Sequence, residues 1–174
     1  LQWWRDEIKK IYAGGHNPPS PVLVALKECI STYHLPFEAF DKILTAHECD
    51  VQEEQAVGLP SLIEYIAGVN APLMLMKKMI LDNGRDNEAA WTSVALATGL
   101  VETLQNSQDD SMGYMMVERA RQYLEENESI SCRYLRSQSV LTKLYCDGFA
   151  HVGYNPLLLK PILFKELRVW WGAR

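Results

Sequence analysis

Residues 60–82, with the sequence PSLIEYIAGVNAPLMLMKKMILD, decide the fold class. Apolar residues, many of them good helix formers, recur in this segment every three or four positions. The turn signal Gly58-Leu59-Pro60 stands before it, and proline suits the first turn of a helix. The polar break 83–87 follows it. The segment therefore predicts an α-helix over about 60–82.

The same helical spacing of apolar residues extends on both sides of this segment. Alternating runs of valine, threonine and tyrosine with Asn-Gly turns, which are typical of β-hairpins, are hard to find. The sequence therefore predicts an all-α protein. The predicted helices are 1–12, 21–34, 36–51, 60–82, 89–104, 114–127, 131–150 and 157–171.

Composition limits the classes of partner and cofactor. A chain of 174 residues that is 48% hydrophobic has the size of one ordinary domain with a core. The net charge of -5 leaves no basic face, so we expect no nucleic-acid partner. The cysteines form no CxxC pair, which argues against a zinc ribbon or a dense disulfide framework and favours buried or half-buried thiols. They are Cys29, Cys49, Cys132 and Cys146.

The two ends of the chain give further expectations. Leu1 to Arg5 has the pattern of the middle of a helix, with no capping residue before it, so we expect an N-terminal part that precedes Leu1. No stretch reaches the roughly 20 uninterrupted apolar residues of a membrane span, and no signal-peptide pattern is found, so a soluble or peripheral protein is expected. Trp170 and Trp171 close the last predicted helix, for which burial in the core is favoured over contact with a membrane interface.

Several stretches, in this order and spacing, carry a resemblance to a known family. They are 1–14 with its Trp-Trp-Arg helix, 33–50 with its Leu-Pro, 64–72 (EYIAGVNAP), 117–121 (VERAR) and 153–156 (GYNP) with the final tryptophans. Together they resemble the squalene/phytoene synthase family, most closely its divergent branch that includes a mitochondrial complex I assembly factor. The resemblance implies an isoprenoid (terpenoid) synthase-type helical bundle, a single domain over 1–174, N-terminally incomplete and with a stretch missing near 107–116.

The resemblance also implies a metal requirement. Enzymes of this family join prenyl diphosphates head to head, and two DxxxD motifs hold Mg²⁺ ions that neutralise the departing diphosphate. The first motif would stand before Trp3. The second should follow Gly99, where the matching residues are Leu104-Gln105-Asn106, with Asp110 as the second acid. A neutral amide is a weaker Mg²⁺ ligand than a carboxylate. Asn106 and Asp110 are therefore candidate ligands of a degenerate metal site.

By the same resemblance, Tyr65, Val69, Gly99 and Arg5 are the candidate substrate-binding residues. Tyr65 could line the prenyl-chain tunnel or be a core tyrosine with a satisfied hydroxyl group. The small residues around Gly99 allow either close helix packing or room for a ligand. For Arg5, a side chain that covers apolar surface while its head stays wet is favoured over a diphosphate contact.

Two polar clusters are expected to be surfaces rather than metal sites. Asn106, Asp109 and Asp110 are interpreted first as a solvated loop at the end of a helix, with a residual metal site as the alternative. His47 and Glu48 are adjacent and point about 100° apart on a helix, so a helix surface is favoured there.

Two candidate functions are consistent with these sequence features. The first is a catalytically inactive family member that acts as a lipid-binding or assembly-factor-like protein and needs no cofactor. The second is an active Mg²⁺-dependent prenyl transferase. The expected partners are a prenyl diphosphate or another lipid, a protein partner in respiratory-complex assembly, and a membrane surface touched peripherally. The expected location is cytoplasmic or membrane-peripheral in a bacterium and the mitochondrial matrix side in a eukaryote.

Overall fold

A computed structural model describes residues 1–14, 18–51, 58–81, 86–109, 111–126, 130–162, 168–169 and 172, and at 49–51 it describes the helix but not the side chains. These residues form seven α-helices and no β-strand, so the predicted all-α class is confirmed. The helices are α1 (Gln2–Ala13), α2 (Pro21–Tyr33), α3 (Phe37–Val51), α4 (Leu59–Leu81), α5 (Glu88–Asn106), α6 (Gly113–Glu125) and α7 (Arg133–His151).

Local signals fix where the helices begin and end. The hydroxyl of Ser20 accepts a hydrogen bond from the amide of Leu23, and Pro21 occupies the first turn of α2. In α5, the side chain of Asn87 caps the helix by accepting from the amide of Ala90 at 2.7 Å. His34 ends α2 in the left-handed conformation with φ 53°. Most predicted boundaries therefore agree with the structure to within one or two residues.

The apolar side chains form two cores. The larger lies among α4, α5, α6 and α7 and includes the fully buried Trp91, Leu100, Leu135 and Phe149. The smaller gathers residues of α1, α2 and α3, and Met76 of α4 is also buried in it. Because α4 contributes to both cores and packs against α3 and α5, it connects the two halves of the bundle.

An aromatic stack holds three helices together in the larger core. The rings of Trp91 in α5 and Tyr134 in α7 are stacked, with centroids 6.1 Å apart and planes at 18°. The ammonium of Lys77 in α4 lies 5.6 Å from the centroid of the Tyr134 ring, within the range of a cation–π contact. The stack therefore joins α4, α5 and α7.

Helix α4 is also the one described helix that is long and apolar enough to cross a membrane by length and composition. Glu64, Lys77 and Lys78 interrupt its apolar sequence. About a fifth of its most apolar window is buried, and Leu73, Met79 and Leu81 are exposed. Length and composition alone are weak evidence for a span, because core helices of water-soluble proteins pass the same test.

The predicted helix over 157–171 is wrong in its first part. Pro156–Leu158 form a single 3₁₀ turn, and 159–162 are not helical. The physical reason is Pro161, which lacks an amide hydrogen and disfavours helix at the residue before it. Arg168 and Val169 are helical, whereas Trp170 and Trp171 lie outside the described residues.

A buried carboxylate anchors the start of α7. Asp86, only 6% exposed, accepts hydrogen bonds from the amides of Ser131 and Cys132 at 2.7 and 2.6 Å. These amides immediately precede α7 and have no partner within that helix. A negative charge at a helix N-terminus is also favoured by the helix dipole. Asp86 therefore ties the segment before α5 to the beginning of α7.

We expect Asp86→Ala to lower the free energy of unfolding by about 1.5–3 kcal/mol, because two backbone amides, one of them buried, lose a charged acceptor. Urea denaturation followed by circular dichroism measures the change. Asp147→Ala is the matched control, since Asp147 is an exposed partner of Arg121 and such surface pairs contribute little. An equal effect of the two substitutions would contradict the anchoring role of Asp86.

Candidate functional site

The candidate site residues of α4 lie on a helix that α3 and α5 flank. Tyr65 is half-buried, and its hydroxyl lies 3.3 Å from Nδ1 of His47 in α3. The two rings meet edge to face with centroids 6.1 Å apart. Of the two interpretations of Tyr65, this geometry is that of a tyrosine with a satisfied hydroxyl group. Its partner His47 is half-buried and faces α4, which corrects the expectation of a plain helix surface.

Helices α4 and α5 approach each other closely at Gly99. A Cβ atom at this position would overlap Cγ2 of Ile66 and lie 2.8 Å from Nδ2 of Asn70. Gly99 is buried, and the hydroxyl of Thr103 donates to its carbonyl at 2.8 Å. The small residue thus serves close helix packing, and Ile66 and Asn70 fill the space beside it. Val69, one turn after Tyr65 on α4, is half-buried.

The guanidinium of Arg5 forms hydrogen bonds with three side chains of α3. Its Nε atom donates to Asp41 at 2.7 Å, its Nη1 atom to Glu48, and its Nη2 atom to Thr45 at 3.0 Å. These hydrogen bonds, first that of Glu48 and then that of Asp41, raise the pKa of Arg5 above its ordinary value. The pKa of Glu48 is lowered chiefly by the hydrogen bond from Arg5. The expected wet head is therefore wrong: the guanidinium links α1 to α3.

The polar residues at the end of α5 bond to their own turn of the chain. Asn106 is exposed, and its Nδ2 atom donates back to the carbonyl of Glu102 at 2.9 Å. The carboxylate of Asp109 accepts from the amide and the hydroxyl of Ser111 at 2.9 and 2.7 Å. These two hydrogen bonds, the backbone one first, lower the pKa of Asp109. Asp110 lies outside the described residues.

The described side chains can be compared with the ligands that a magnesium site requires. Mg²⁺ requires several oxygen ligands in octahedral geometry, usually with at least one carboxylate. Within the described ranges, no three His, Cys, Asp or Glu side chains come close enough to hold a metal ion. Asn106 and Asp109 already make local hydrogen bonds. The described donor set therefore does not fit the family's metal cluster.

Among the described thiols, that of Cys146 is a poor candidate for a nucleophile. Cys132 and Cys146 are buried as predicted, and burial raises the pKa of Cys146 to about 11. A thiol with a raised pKa is a poor nucleophile at neutral pH. Cys29 is exposed, contrary to the prediction, because it lies on the outer side of α2, while the side chain of Cys49 is not described.

One apolar groove lies between α3 and α4, and we name it the α3–α4 groove. It has a volume of about 230 Å³. Sequence reasoning missed it, although Ala67 and Ala71, four residues apart on α4, were a signal of space on one helix face. Its principal lining residues are Ala39 and Lys42 of α3 with Ala67, Ala71, Leu75 and Met79 of α4.

A wider, shallow depression of about 650 Å³ lies between α7 and the segment that follows it. Arg121 and Asp147 contribute to its lining and pair with each other at 3.1 Å. Arg121 also pairs with Glu118 at 3.0 Å. Since the charge of this arginine is already balanced by two carboxylates, it presents no net positive charge to an anionic ligand.

The family model described as squalene/phytoene synthase matches residues 1–137, which is 137 of the 174 residues. Neither a curated protein nor a solved structure matches the chain significantly. The matched region covers α1 to α6 and the beginning of α7, and it includes every candidate site residue named above.

We expect Gly99→Ala to be destabilising by about 1–3 kcal/mol, because overpacking against Ile66 exceeds the gain of about 1 kcal/mol in helix propensity. The double variant with Ile66→Ala should lose less than the sum of the two single losses, because that substitution removes Cγ2. Thermal and urea denaturation of the four proteins measure the coupling. Strict additivity would show that the two side chains do not meet.

Proposed function

The chain belongs to the squalene/phytoene synthase family, and from that premise we propose that it binds a lipid without catalysing the family's condensation of prenyl diphosphates. The proposal depends on the local hydrogen bonds at the end of α5. There Asn106 bonds to the carbonyl of Glu102 and Asp109 bonds to Ser111, and the described residues bring no three metal-ligating side chains together. Ionisation of a prenyl diphosphate needs clustered cations beside the leaving group.

The packing of α4 against α5 supports the same proposal. Ile66 and Asn70 occupy the space beside Gly99, where a prenyl chain would lie by resemblance to the family. Arg5, which would face the diphosphate by the same resemblance, is held by Asp41 and Glu48. Two of the four candidate substrate-binding residues therefore make contacts within the protein that a substrate would have to replace.

Exposed apolar side chains on α4 support the binding of a lipid. Leu73, Met79, Ile80 and Leu81 are each at least about a third exposed. Exposed apolar side chains such as these are available for contact with a lipid or a partner. In this proposal, lipid binding requires no metal cofactor, and contact with the membrane is peripheral.

A finer proposal concerns the partner and location. The resemblance to the branch that includes a mitochondrial complex I assembly factor supports a protein partner in respiratory-complex assembly, with the chain on the matrix side in a eukaryote. If the source is a bacterium, the proposed location is the cytoplasm or the membrane surface. Unchanged levels of assembled complex I after deletion of the gene would remove the assembly role.

We expect the full-length protein, incubated with farnesyl or geranylgeranyl diphosphate and Mg²⁺, to release no pyrophosphate, because the neutral amide of Asn106 stands, by resemblance, at the first acid of the second motif and is a weaker Mg²⁺ ligand than a carboxylate. An enzyme-coupled pyrophosphate assay measures this, with a catalytically active member of the family as the positive control. Mg²⁺-dependent release by the unaltered protein would establish the alternative, an active prenyl transferase.

A further inference from the structure

We draw no further inference here: the strongest candidate, the cavity of about 320 Å³ between the end of α6 and α7 that the buried Ser139 lines, presents the exposed Glu125 and Lys143 with opposite charges, and nothing in the structure shows what occupies it.

Discussion

The close approach of α4 to α5 at Gly99 is the constraint on which much of the structure depends. A glycine at this point lets Ile66 and Asn70 enter the space that a side chain would occupy, and close packing of this kind strengthens dispersion contacts along both helices. The same contact leaves Tyr65 on the side of α4 that faces His47 in α3. Packing between α4 and α5 therefore determines which face of α4 turns towards α3 and its groove.

The electrostatics of the bundle are local. Charged groups of the candidate region bond to a neighbouring helix or to their own turn, as Arg5 does with Asp41 and Glu48 and Asp109 does with Ser111. Such pairs hold helices and loops in position. A metal-dependent enzyme of the family needs the opposite arrangement, in which several carboxylates point into one space.

Most of the helices could be predicted because helical periodicity and capping residues are recognisable within short stretches of sequence, as at Ser20-Pro21 and Asn87. The first part of the last predicted helix was wrong because the apolar residues around 157–162 outweighed Pro161 in the interpretation. The partners of Arg5 and His47 could not be predicted, since each partner lies on a different helix and a local sequence pattern does not give the relative position of two packed helices. The α3–α4 groove was missed for the same reason, because a cavity is a property of two packed surfaces.

The carboxylate of Asp86 also affects how the chain folds. Its contact with Cys132 joins residues 46 positions apart, and closing a loop of that length has an entropic cost that local helix formation does not offset. Helices α5 and α6 lie within the loop, so Asp86 reaches the two amides that precede α7 only after the chain has doubled back past both helices. The hydrogen bonds of Asp86 therefore depend on the packing of the start of α7 beside the start of α5, which the helical propensity of α7 alone does not provide.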